Sequence, residues 1–395
     1  MLPTSQLTFT KGMDISADEM DIPPEHAHDI VNVDISTTGT GFARDDYSVP
    51  TLLPGARCLQ GFESYGLCAK DDTLYRVDYP LAVTPIFTGL HPHNPIAYTL
   101  HAGRVWFTDG VRVGAVALDA GSAEWVGLPV PASPGLATTA HGGLTAGTYG
   151  VALSFMTSTE ESGLSLTTFI STPGGGINLT HLPTPPAGAT VRVYMTQPDG
   201  DVLYHLTDIP PGLMAPILLG HLPEGKPAMN RFKGPLPGGR LIAGYNGRLY
   251  VAHRNALYFS DPLFYGLNSL REGFILYESE ITVLQAVETG LYVGTRDHIH
   301  YLSGDGPNAA QTKLIAPPPV AWSGTGLVAG ALSGDHAKRG GLYAIWLSAL
   351  GYYLGTPDGI VIPLQADRIQ GITAEAISSA VLATRGINRV VTTVE

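Results

Sequence analysis

Three pairs of histidines, each separated by one residue, are the densest candidates for chemistry in this sequence of 395 residues: His26-Ala-His28, His91-Pro-His93 and His298-Ile-His300. On a strand, side chains two positions apart share a face, so each pair could offer two imidazoles to one metal ion. A metal site needs further ligands, which no neighbouring motif supplies, and Pro92 marks the second pair as loop. The competing reading is histidine in a turn or on a hairpin face, and no metal is expected. Carboxylates gather at Asp71-Asp72 and in the Asp-Gly pairs that begin at 109, 199, 305 and 358. Such pairs could suggest paired acids or calcium loops. Asp-Gly is also a favoured dipeptide of tight hairpin turns and falls where turns are needed, so these are read as turns. A glycosidase carboxylate pair assembles from distant strands and leaves no local pattern. The Gly-x-Ser-x-Gly elbow, the Walker loop, His-Glu-x-x-His and the Ser-x-Asp-x-Gly-x-Thr-Trp repeat are absent. Neither an enzyme nor a cofactor is expected. Cys58 and Cys68, the two cysteines, could pair, but two thiols in a chain this long do not make a disulfide scaffold. Both are read as buried small hydrophobes made in a reducing cytosol.

The elements that would position these residues follow one recurring phrase: Gly, an apolar strand, a turn and a second strand rich in Tyr. It occurs at Gly66–Tyr75, Gly103–Val113, Gly247–Tyr258, Gly290–Tyr301 and Gly351–Val361. Each copy predicts a β-hairpin. A hairpin cannot bury its own apolar face, so repeated copies imply stacking, as in propellers and solenoids. Gly66 to Gly103 is about 37 residues and Gly247 to Gly290 about 43, near the length of a four-stranded blade. Gly103 to Gly247 is far longer. Between Pro129 and Pro223 the chain carries its own strands: Tyr149, Val151, Leu153 and Phe155 alternate with small or polar residues, and Ile177–Leu179, Val191–Val193 and Val202–Leu206 follow between Pro- and Gly-rich turns. Many short strands in about 95 residues fit a small β-sandwich. The expected fold is all-β: a β-propeller-like body, in parts 1–128 and 225–395, with a β-sandwich of the fibronectin-III/immunoglobulin-like kind inserted at 129–224. Helical signals are scarce, the best being Ile372–Thr384. Asp14–Glu25 and Asp45-Asp46 read as loops.

Composition agrees. Gly 48 and Pro 31, with 14% charged residues, describe many tight turns, and 44% hydrophobic residues suffice for a core. The opening residues form no charged-then-apolar leader, and no apolar run approaches the roughly 20 residues of a membrane helix. Synthesis in the cytoplasm without membrane insertion is expected. A net charge of −12 argues against gripping nucleic acid by neutralising phosphates, but not against a conduit that nucleic acid slides past.

Several stretches carry a resemblance. Phe9–Asp14, Ile22–Glu25 and Asp29–Asp34 look like the start of many tailed-bacteriophage structural proteins, with an aromatic and a Gly before a Pro-bearing loop and an Asn-Val-Asp strand. Asn246–Ala252 and Ala256–Pro262 are similar to their blade hairpins, and Arg385–Val391 to their last strand. Leu144–Tyr149, Glu160–Gly163, Pro185–Gly188 and Arg192–Tyr194 resemble the fibronectin-type-III-like inserts they carry. The resemblance spans nearly the whole chain as a style of sequence. It points to the tail nozzle, or tail-tube-closing, proteins of short-tailed phages. It implies a virion protein made in the host cytoplasm: a homo-hexameric ring below the head–tail adaptor that extends and closes the DNA-ejection channel. Its partners would be other copies of itself, the adaptor, and tail fibres or a tail tip protein, with double-stranded DNA passing through.

If the ring conducts DNA, its narrowest wall should be poor in Lys and Arg, because a duplex carries about one negative charge per 1.7 Å and fixed cations would brake it. The loops Ser303–Ala310 and Ile315–Ser323 are the constriction candidates, represented by Ser303, Asp305, Pro307, Pro317 and Pro318. They could equally be ordinary loops between blades. Two rival functions are a carbohydrate-binding or depolymerising β-propeller, with Trp106, Trp125, Trp322 and Trp346 lining sugar sites, and a cellular propeller scaffold.

Overall fold

A computed structural model describes residues 53–331 apart from 79 and 81, and of the remainder 14–15, 20–23, 25–27, 33–35, 40–43, 340–365, 369, 371–372, 374, 377–384 and 387–394. His28, Asp45-Asp46 and most of the opening stretch that carries the phage resemblance lie outside the described residues.

In chain order, a hairpin of β1 (Val33–Ile35) and β2 (Gly41–Ala43) precedes the first sheet, a meander of β3 (Arg57–Gly61), β4 (Gly66–Lys70), β5 (Thr73–Asp78) and β6 (Ala82–Thr88). The second meander is β7 (Ala97–His101), β8 (Arg104–Thr108), β9 (Val113–Val116) and β10 (Ala123–Trp125). Next come β11 (Gly135–Leu144), β12 (Gly147–Met156), β13 (Thr168–Thr172), β14 (Gly175–His181), β15 (Thr190–Thr196), β16 (Leu203–Ile209) and β17 (Ile217–Leu219). They form a three-stranded sheet ordered β11-β14-β17 and a four-stranded sheet ordered β13-β12-β15-β16. The third meander comprises β18 (Lys233–Pro235), β19 (Leu241–Tyr245), β20 (Arg248–His253), β21 (Ala256–Asp261), β22 (Phe264–Ser269) and β23 (Phe274–Leu276). The fourth runs β24 (Ile281–Val287), β25 (Gly290–Thr295), β26 (Ile299–Ser303) and β27 (Ala310–Lys313). The fifth runs β28 (Thr325–Val328), β29 (Leu342–Ser348), β30 (Gly351–Gly355) and β31 (Val361–Pro363), before a hairpin of β32 (Ile377–Thr384) and β33 (Ile387–Val394). The protein is thus all-β, built from successive antiparallel sheets of the kind used as propeller blades.

In two of the five copies the recurring Gly has a local cause, whereas Gly66 and Gly290 have no left-handed φ. Ala102 and Gly103 (φ 51° and 73°), like Asn246 and Gly247 (φ 46° and 70°), both sit in the left-handed region between paired strands. Two successive positive φ values make the type I′ turn, whose twist matches that of the flanking strands. Three copies of the phrase form the second and third strands of their sheets; Gly247–Tyr258 and Gly351–Val361 form the third and fourth in chain order, because β18 and β28 come in front.

The chain separates into two compact units, one of residues 1–70, 74–85 and 277–395, the other of 71–73 and 86–276. In the second unit, Trp106, Val113 and Ala115 of the second meander share a core with Leu236, Ile242, Leu249 and Val251 of the third. Thr108 Oγ1 donates to Gly239 O at 3.0 Å and accepts Gly239 N at 3.1 Å across the same junction. The three- and four-stranded sheets enclose a separate core, with Tyr149, Val151, Leu153, Phe155, Val191 and Val193 from the four-stranded sheet against Ile177, Leu179 and Leu219 from the three-stranded one. The alternation expected in β12 is masked, since Ala152 and Ser154 on its other face are buried as well. Leu164, Tyr194 and Leu203 cover Ala152 there. In the first unit, Tyr292, Ile299 and Tyr301 of the fourth meander pack with Ala344, Trp346 and Tyr353 of the fifth.

Two expectations change. Residues 377–384 of the helical candidate are strand β32, paired along its length with β33. The adjacent serines, Ser378 and Ser379, are mediocre helix formers, and the partner strand supplies the backbone bonds. Cys68 is buried, with its thiol pKa raised by burial, but Cys58 is only half-buried at a left-handed φ of 54°. No disulfide joins them.

Candidate functional site

The constriction candidates flank one short strand. Ser303 closes β26 opposite Ala310, and between them Gly306–Asn308 forms a single 3-10 turn, with Asn308 N donating to Asp305 O at 3.0 Å. Asp305 is half-buried and Pro307 exposed. After β27 comes the second loop. Pro317 is half-buried and Pro318 exposed, while Pro319 is buried and bridges to Ser348. Ser323 Oγ donates to Val320 O at 2.7 Å and accepts Leu347 N at 3.2 Å, tying this loop to β29. β27 is antiparallel to β26, so the two loops leave from opposite ends of β27. The structure therefore does not bring Ser303, Asp305 and Pro307 together with Pro317 and Pro318. Asp305 is the sole charge in the first loop and Ile315–Ser323 contains none, but Lys313 lies two residues before the second.

Two of the histidine pairs are occupied locally. His91 Nδ1 accepts Asn94 N at 3.3 Å, and His91 N donates to Asp109 Oδ2 at 3.0 Å, so the pair helps shape the turn. Asp109 also accepts the N–H of Val111 and Arg112 at 3.0 and 2.8 Å, an Asx turn that accounts for this Asp-Gly pair. His298 and His300 meet edge to face with ring centres 6.2 Å apart, and His300 also packs on Tyr277. Burial lowers the pKa of His300, as does the neighbouring His298. Among the described residues no three His, Cys, Asp or Glu side chains come together as a metal site would need, and no helix is long and apolar enough to cross a membrane. Of the four Trp, Trp346 is wholly buried, which removes it from any surface sugar platform, while Trp106 keeps 4% exposure. Trp125 lies under the Arg112 guanidinium, 4.0 Å from its ring centre.

A feature the sequence did not disclose is a cleft of ≈ 160 Å³ in the second unit, lined in part by Arg104, Trp106, Glu124, Glu160, Phe264 and Tyr265. Its floor is the Trp106–Tyr265 pair, with ring centres 4.6 Å apart. The Arg104 guanidinium lies 5.4 Å from the Trp106 ring centre, donates to Val116 O and pairs with Glu124 at 2.8 Å. Glu160 accepts Leu128 N at 2.6 Å. Burial pushes its pKa up, the Leu128 and Gly127 amides oppose this, and Glu124 adds to the rise. The adjacent Glu161 is structurally saturated: one oxygen accepts from Ser154, Tyr194 and Asn230 at 2.7, 2.7 and 3.1 Å, and the other faces Arg192 at 3.4 Å. The cleft offers an aromatic floor, one compensated cation and one partly buried carboxylate, which suits a small polar group.

No protein-family model matches the chain, and no curated protein matches it. Among solved structures, it is similar to virginiamycin B lyase from Staphylococcus aureus at 14% identity, over 79% of this chain and 85% of that one, with a TM-score of 0.30. The N-terminal domain of Nup159 gives 10% identity over 86% and 72% of the two chains, with a TM-score of 0.27. Likenesses at these values establish neither a common fold nor a common activity.

Proposed function

We propose that this chain is a structural subunit of a short-tailed bacteriophage tail, whose copies form a ring that extends and closes the DNA-ejection channel. The meanders would close into a β-propeller, with the sandwich emerging from it as a fibronectin-III-like domain at about 129–224. One observation carries most weight. Tyr149, wholly buried, donates its hydroxyl to the carbonyl of Thr145 at 3.0 Å. That bond resembles the tyrosine corner of such sandwiches and supports the reading, since it falls within Leu144–Tyr149, a stretch that carries the family resemblance. In sandwiches of that kind the corner opens the sixth of seven strands, whereas here it opens β12, the second of the insert, so the strand order is rotated. A rigid repeated β body with a net charge of −12 suits a conduit that must not hold DNA. Partners under this reading are the adaptor and fibres or a tip protein. Imaging of the intact particle tests it: copies ringing the tail axis support it, and copies absent from that axis defeat it.

The cleft favours a second reading, a carbohydrate-binding surface, in which the Arg104–Glu124 pair would meet sugar hydroxyls beside Tyr265 and Phe264. Glycan titration of the purified protein separates the two.

A further inference from the structure

Two turns meet at one end of the third meander. One leads through Met229, Asn230 and Arg231 to Phe232; the other, Leu270–Gly273, joins β22 to β23. They are tied by Leu270 N donating to Phe232 O at 2.9 Å. Phe232 stands in the left-handed region at φ 58°, which a bulky side chain rarely adopts, and its side chain remains 44% exposed. Held this way, its ring is flanked by two guanidinium groups. The Arg231 and Arg271 carbons lie 5.0 and 4.6 Å from the ring centre. Both arginines are exposed, and neither has a hydrogen bond or ion pair among the described residues. Arg76, Arg104, Arg192 and Arg296, by contrast, are each paired with a carboxylate. Lys233, beside the patch, is cancelled by Asp261, and Glu272 makes no ion pair with either arginine. Met229 at 83% and Leu270 at 59% exposure complete the surface.

We infer that Arg231, Phe232 and Arg271 form a docking surface for a carboxylate-bearing patch on a second copy of this chain. Arg, Met and aromatic side chains are enriched where proteins meet, and a stacked guanidinium retains its donors for a carboxylate. The occupant follows from charge: the chain carries 34 acidic residues against 22 basic ones, so each copy has carboxylates to spare for the next copy's arginines. A duplex would meet these two cations within a body of net charge −12, and it would gain nothing from Met229 and Leu270. The contact joins different faces of two copies, and such heterologous contacts give a ring when the rotation between copies closes and a filament when it does not. The inference deepens the ring reading and rests on it.

Sedimentation velocity of the purified full chain, over a range of concentrations and from about 50 to about 500 mM salt, tests it. Wild type should self-associate and come apart as salt rises. Arg231→Glu combined with Arg271→Glu should weaken self-association by roughly a hundredfold. Phe232→Gly suits the left-handed backbone, so it should keep or raise the melting temperature while weakening self-association by roughly tenfold. A wild type that stays monomeric throughout overturns the docking surface, as does self-association unchanged in either variant. Retention of a short duplex by wild type and not by the double variant also overturns it, assigning the patch to phosphate. The ring reading is judged separately in the particle: no ring there defeats that reading, whereas intact rings built from the double variant defeat the docking surface alone.

Discussion

The carboxylate of Glu160 joins two stretches of chain that are far apart in sequence, since it takes the Leu128 amide of the linker into the sandwich. Burial raises its pKa above the ordinary 4.5, so the folded protein favours the protonated form. A raised pKa contributes stability that is complete below the ordinary value and is lost as pH rises through the raised one. Glu160→Gln keeps the acceptor and removes the charge. Its melting temperature should therefore exceed that of wild type at pH 7 and converge with it below the ordinary carboxylate value; a difference independent of pH would refute this. Tyr149→Phe should cost about 1–2 kcal/mol in urea unfolding, because the Thr145 carbonyl loses its buried donor. Little of the cleft was legible in the sequence. Glu160 and Glu161 are neighbours of the same type, and their different roles depend on Leu128, Ser154 and Asn230, which only the fold brings near. The Asp109-Gly110 turn was legible because an Asx turn is made within a few residues.

At the level of elements, a glycine's importance depends on what its missing Cβ would meet. Gly103 sits at φ 73° with nothing within 4 Å of a Cβ added there, so Gly103→Ala should cost only the left-handed backbone penalty, about 1 kcal/mol. Gly114 has an ordinary φ, but an added Cβ would lie 2.3 Å from the Phe107 ring on the paired strand. Gly114→Ala should be the more damaging, by about 1–3 kcal/mol, through overpacking. Denaturant midpoints of the two variants check the order. The hairpins could be read in advance because type I′ turns demand particular residues at fixed offsets. The ends of the meanders could not: β28 and β23 are short strands defined by their partners, and the pattern of Gly351–Val361 is the same whether it supplies the second and third strands or the third and fourth. Residues 377–384 resisted for a related reason, since their pairing with β33 outweighs a weak local preference.

For the whole molecule, the ring reading predicts an axial pore whose narrowest part is poor in Lys and Arg. Because Ser303–Ala310 and Ile315–Ser323 leave opposite ends of β27, no more than one of them should form that narrowest part. The loop carrying Asp305 is the better choice, as Lys313 lies two residues before the other. A map of the assembled tail decides this, and a pore ringed by Lys or Arg would end the proposal. The junction at Gly127 has a different consequence. A Cβ there would lie 2.7 Å from Gly266 O and 3.0 Å from Pro235, so the chain going into the sandwich runs against the chain coming out of it. If 129–224 is an inserted module, as the ring reading has it, ends that adjoin in this way place almost no demand on the sheets that receive it. Evolution can exchange, enlarge or delete such a module without redesigning its host, and so can an engineer: a foreign domain with adjoining termini, spliced between 128 and 233, should be displayed on a body that folds as before.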